Sequence, residues 1–105
     1  MTQAALLDHV TKTIVARFHP KRIIVFGSHA RGTAGPESDL DLFVEMDTPR
    51  RPPDRAIEVR EVFGLRSWPM DVVVYTPEEV RRLRHVEGTL LALIEKEGKV
   101  LYEQR

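Results

Sequence analysis

A chain of 105 residues is expected to form one domain over 1–105, near the lower size at which a chain holds an independent core. Sixteen basic and sixteen acidic residues cancel, so no global field recruits nucleic acid, and direct nucleic-acid binding is not expected. There is no cysteine, which excludes disulfides, thiolate metal sites and a cysteine nucleophile. The apolar runs fall far short of a membrane span and the N-terminus lacks the pattern of a signal peptide, so the chain reads as cytoplasmic.

Ala4, Leu7, Val10, Ile14 and Phe18 recur at helical spacing and predict an amphipathic helix stopped by His19-Pro20. Ile23-Ile24-Val25-Phe26 is a short β-branched run cut by Gly27, as a buried strand would be. From Ser28 to Ser38 the chain is rich in Gly, Ser, Thr and Pro and predicts a loop, with one helical turn around Ala30-Arg31. Beyond it Leu40, Leu42, Val44 and Met46 point one way and Asp39, Asp41, Phe43 and Glu45 the other, which is a second strand. Asp54 is placed to cap a helix through Ala56, Val59 and Phe63 that ends at Gly64.

Met70 to Tyr75 predicts a third strand. Thr76-Pro77-Glu78-Glu79 supplies a capping threonine, a proline at the first helical position and a glutamate three residues after the cap. Helix continues, broken near Gly88, to Glu97, where Gly98 stops it; Val100-Leu101-Tyr102 suggests a last short strand. Helices between successive strands imply an α/β fold, a small mixed sheet covered by helices.

The chemistry concentrates in Gly27-Ser28-His29-Ala30-Arg31-Gly32 and, after a loop, Ser38-Asp39-Leu40-Asp41-Leu42. Two aspartates two apart on a strand put both carboxylates on one face, about 6.6 Å apart along the chain. Their repulsion calls for a cation, and oxygen-only ligands favour Mg²⁺ or Mn²⁺ over zinc. Two such ions could clamp the attacking and leaving oxygens of a phosphoryl displacement. Gly27 lets backbone approach a ligand closely. Ser28 offers an N–H and a hydroxyl at a helix start, where anions are favoured. Arg31 could add positive charge to a triphosphate or brace the loop by pairing with an acid. Asp71 opens an otherwise apolar strand, where a charge needs a purpose or a partner. If that strand lies beside the Asp39–Asp41 strand, the three acids converge at one edge of the sheet.

With Gly27-Ser28, Ala30-Arg31-Gly32, Ser38-Asp39-Leu40-Asp41-Leu42 and the strand-borne Asp71, the chain resembles the polymerase-β-type nucleotidyltransferase superfamily, and within it the minimal nucleotidyltransferase (MNT) group. The similarity runs through nearly the whole chain, including Glu97 to Glu103. It implies that Asp39 and Asp41 hold magnesium, that Asp71 is a third ligand and the base for an acceptor hydroxyl, and that Gly27 and Ser28 hold the β- and γ-phosphates. Arg31 and Ser38 complete the expected nucleotide-binding set. Members this small are often paired with a helical HEPN protein, which they neutralise as antitoxins, in some cases by transferring AMP from ATP onto a partner tyrosine. The same resemblance leaves open a non-catalytic antitoxin that works by contact and an enzyme acting on a small molecule. An oligomer or hetero-complex is expected, because larger relatives carry a separate helical domain for the acceptor. Part of the apolar run Leu90, Leu91, Leu93 and Ile94 is a candidate contact surface.

Other residues read as ordinary. His29 is expected to be exposed, as are His9, His19 and His85, which lack metal-ligand spacing. Glu45 shares the face of Asp39 and Asp41 but is expected to reach solvent. Arg81, Arg82 and Arg84 fit a solvated helix face, and Trp68 is expected to pack the loop before the third strand.

Overall fold

A computed structural model describes residues 2–66 and 68–105. In chain order the elements are α1 (Gln3–Phe18), β1 (Arg22–Phe26), α2 (Ser28–Arg31), β2 (Leu40–Glu45), α3 (Pro52–Glu61), β3 (Met70–Tyr75), α4 (Pro77–Leu83), α5 (Leu90–Glu97) and β4 (Lys99–Glu103). The strands form one sheet in the order β3-β2-β1-β4. β1 pairs antiparallel with both β2 and β4, whereas β2 and β3 run parallel. The parallel step needs a crossover, and α3 supplies it. The expected mixed α/β sheet is therefore present.

Alternation along β2 sorts the core into two layers. Leu40, Leu42, Val44 and Met46 join Val10 and Ile14 of α1 and Val59 of α3 on one face. Phe43 packs on the other with Ile24, Val80 of α4, and Leu91 and Ile94 of α5. Burial of these side chains, roughly 1.5–3 kcal/mol each, is the main attraction holding helices to sheet. Trp68 packs as expected, partly buried against the first layer, its ring edge-on to Phe63 at 5.7 Å.

Local signals fix most helix ends. The Thr2 hydroxyl accepts from the Ala5 amide at 3.1 Å to start α1, and His19, left-handed at φ 49, ends it by donating its N–H to the Val15 carbonyl. At α4 the Thr76 hydroxyl accepts from the Glu79 amide and the Glu79 carboxylate accepts from the Thr76 amide, a complete capping box. Gly98 lets α5 turn directly into β4, since a Cβ there would run into the Ile94 carbonyl and the Ile24 side chain.

Expectations for Asp54 and Glu45 fail here. Asp54 does not cap α3: Arg51 is the N-cap, and Pro52 and Pro53 occupy the first positions. Proline has the φ of a helix and no N–H to satisfy, so the helix begins earlier and Asp54 falls in its first turn, where negative charge is favoured. Glu45 does not reach solvent either; it is 4% exposed. Its strand face is the one α5 covers, and the antiparallel register sets it opposite Arg22. The Arg22 Nε donates to Glu45 at 3.0 Å, its Nη1 to Glu95 of α5 at 2.9 Å, and Arg84 joins Glu95 at 3.2 Å. Burial alone would raise the Glu95 carboxyl, but hydrogen bonds from Arg22 and Arg84 hold it below the ordinary carboxylate range. Arg84, taken from sequence as a solvated side chain, thus also ties α4 to α5.

Candidate active site

The end of the sheet where β1 stops and β2 and β3 begin gathers the predicted residues. Phe26, the last residue of β1, lies opposite Asp41. Gly27 follows with φ +71, a conformation side chains rarely adopt, and a Cβ built on it would overlap the Asp41 carboxylate. Glycine is required here twice, by its dihedral angle and by the acid packed against it.

After Gly27 comes the single turn α2, closed by Gly32 in the left-handed region. The Gly27 carbonyl accepts from the Ala30 and Arg31 amides, both at 3.1 Å. The Ser28 and His29 amides are left without an intrahelical acceptor, as at any helix start. Ala30 is buried in the α1-side layer, which anchors the turn from behind.

Asp39 is exposed just before β2, and Asp41 is half-buried within it. The Leu40 amide between them donates to the Pro69 carbonyl at 2.9 Å, tying the start of β2 to the approach of β3. The parallel register then sets Asp41 directly beside Asp71, which is exposed at the outer strand. This pairing brings Asp41 and Asp71 together, while Asp39 stands two residues before Asp41 at the exposed approach to β2. Burial, then the charges of Asp71 and Asp39, push the Asp41 carboxyl above its ordinary value, against the opposing charges of His29 and Arg31. Among the described residues none of the three acids takes part in an ion pair.

The donor set fits a hard divalent cation in kind: three carboxylates, two in register on neighbouring strands, with uncompensated negative charge. It is not a closed cage. Among the described residues, no three acidic or histidine side chains stand close enough together to form a ready-made metal site.

The remaining candidates divide. Arg31 is exposed on α2, close enough to act electrostatically on Asp41. Ser38 has a local task, its hydroxyl accepting from the Gly35 amide at 2.8 Å and its amide donating back to Gly35 at 3.1 Å. His29, expected to be exposed, is 9% exposed. The one-turn helix rolls it back against the start of α1, where it lines a cavity of about 310 Å³ with Thr2, Gln3, Pro36 and Trp68. Its carbonyl accepts from the Gln3 side-chain amide at 2.9 Å. Neither Gln3 nor the inward turn of His29 has a signal in the sequence, because the contact spans 26 positions.

Residues 8–103 match the nucleotidyltransferase domain family. A solved structure from Sulfolobus solfataricus, described provisionally as a nucleotidyltransferase, superposes with a TM-score of 0.64 at 19% identity, over 97% of this chain and 84% of that one. At that identity the likeness shows the fold. A search of curated proteins returned no match.

Proposed function

The chain belongs to the nucleotidyltransferase domain family, and on that premise we propose that it transfers a nucleoside monophosphate, AMP from ATP, onto a hydroxyl at the edge formed by Gly27, Ser28, Asp39, Asp41 and Asp71. The observation that carries this reading is the register that sets Asp41 beside Asp71 while Gly27 packs against the Asp41 carboxylate. Metal donors and the candidate phosphate turn are thereby adjacent.

Asp39, Asp41 and Asp71 would hold Mg²⁺, which when bound neutralises the triphosphate and withdraws electron density from the oxygens around the α-phosphorus. Gly27 lets the turn pack directly against the Asp41 carboxylate, and the Ser28 hydroxyl and amide donate to phosphate oxygens. Arg31 adds positive charge at the same edge. Asp71, exposed on the outer strand, accepts the proton of the incoming hydroxyl. The new bond joins that oxygen to the α-phosphorus as the bond from the α-phosphorus to the bridging oxygen of the β-phosphate breaks, and pyrophosphate leaves.

The resemblance to the MNT group supports a HEPN-type partner as acceptor, its tyrosine modified and its toxicity silenced. A second reading, neutralisation by contact alone, draws on Val86, Leu90 and Leu93, which are 46%, 44% and 49% exposed around the start of α5. Incubation of the protein with ATP labelled at the α-phosphate, Mg²⁺ and a HEPN-type protein encoded beside it separates the two. Label on a partner tyrosine supports catalysis. A tight complex without label supports contact, and neither complex nor label, with a small molecule labelled instead, removes the antitoxin role.

A further inference from the structure

A helix of one turn does not hold itself together, since nucleation fixes several residues for very few hydrogen bonds. In α2 the internal bonds are soon spent. The Gly27 carbonyl takes the Ala30 and Arg31 amides, and the Ser28 carbonyl takes the amides of Gly32 and Thr33. The Thr33 amide, which a longer helix would give to His29, is thus used by Ser28. The His29 carbonyl is satisfied from outside, by the Gln3 side-chain amide at 2.9 Å. Gln3 is itself the first residue of α1, a helix of 16 residues capped by Thr2 and packed through Val10 and Ile14 into the core.

We infer that Gln3 is a positioning residue for the phosphate turn, fixing the direction of the Ser28 and His29 amides by holding the His29 carbonyl against the Thr2-capped start of α1. The inference rests on the proposed nucleotide site. Among the described residues Gln3 makes no hydrogen bond to the acids; its amide fixes the His29–Ala30 peptide, and the His29 and Ser28 amides lie one and two peptide units back along the same turn. Buried Ala30 anchors the far side of the same turn, so loss of the Gln3 bond tilts the turn without unfolding it. Phosphate binding depends on that tilt. Metal binding to the acids does not, because Asp41 and Asp71 are fixed by strand register.

The test is calorimetric titration of full-length wild type, Gln3→Met and Gln3→Glu with Mg²⁺-tripolyphosphate, beside titration with Mn²⁺ alone. Gln3→Met keeps length and packing but removes the donor; Gln3→Glu sets a carboxylate against the carbonyl. The expected result is tripolyphosphate affinity lower by about three- to tenfold in Gln3→Met, the scale of one lost hydrogen bond. Gln3→Glu should lose more, and Mn²⁺ affinity should be unchanged in both. Wild-type binding with equal tripolyphosphate affinity in Gln3→Met overturns the inference, as does a parallel loss of Mn²⁺ affinity, which would mean general loosening. Failure of the wild type itself to bind tripolyphosphate would remove the phosphate turn, and this inference with it.

Discussion

Asp41 and Asp71 stand side by side across the parallel pairing of β2 and β3, the one half-buried and the other exposed. Burial, and after it the charge of Asp71, raises the Asp41 carboxyl above its ordinary value of 3.8. A native-state pKa above the unfolded one makes an acid destabilising once it ionises. Without metal, stability should therefore fall as pH rises from about 3.8 through the raised native value. Asp41→Asn should abolish that component and raise the metal-free melting temperature at neutral pH by about 2–6 °C. Thermal melts in EDTA across pH 3 to 8 check both; coincident pH profiles for the two proteins would refute the raised native value.

Gly27 and Gly32 make a matched pair of tests, both with positive φ. A Cβ at Gly27 meets the Asp41 carboxylate, whereas one at Gly32 meets nothing. Gly32→Ala should cost about 1 kcal/mol of backbone strain and leave metal and nucleotide binding intact. Gly27→Ala should cost about 1–3 kcal/mol and also abolish nucleotide binding. Urea unfolding with parallel ATP titration distinguishes them; equal nucleotide affinities in the two variants would contradict the role given to Gly27.

Ser28→Ala should weaken Mg²⁺-triphosphate binding by about 1–2 kcal/mol, the worth of one hydrogen bond to a charged group, without changing stability measurably. Calorimetry in Mg²⁺ measures the difference, and identical affinities would make Ser28 structural.

The group of buried Arg22 and Glu45 with partly buried Glu95 carries a separate expectation. Arg22→Ala leaves Glu45, 4% exposed, without its partner, and should cost about 3–5 kcal/mol by urea unfolding. Glu95 is held below its ordinary value of 4.5, so its stabilisation is full above that pH and is lost as pH falls through the lower native value. Glu95→Gln should lower stability at neutral pH and flatten the acid side of the curve. An unchanged acid limb would argue against the linkage.

Where local chemistry decides, the sequence was enough. Alternation gave the two faces of β2, and Thr76 to Glu79 gave the start of α4; that Asp71 lies beside Asp41 was only conditional until the parallel pairing of β2 and β3 supplied it. What escaped depends on partners distant along the chain. Glu45 looks like a surface acid until the antiparallel register brings Arg22 opposite and α5 above. His29 looks like an exposed loop residue until α1 folds back over it and Gln3 takes its carbonyl. Arg51 rather than Asp54 caps α3 because two prolines outweigh one capping side chain.

In the proposed mechanism the Gly27-Ser28 turn and the Asp41–Asp71 edge form one metal–nucleotide site. No acceptor is needed to test it: titrate wild type and Asp41→Asn with Mn²⁺ in the presence and absence of ATP, following protein-bound Mn²⁺ and ATP by equilibrium dialysis. The wild type should bind Mn²⁺ more tightly with ATP than without, and Asp41→Asn, still folded, should bind the metal–nucleotide pair at least about tenfold more weakly, the loss of a charged ligand. Equal binding of Mn²⁺-ATP by the two proteins would contradict it.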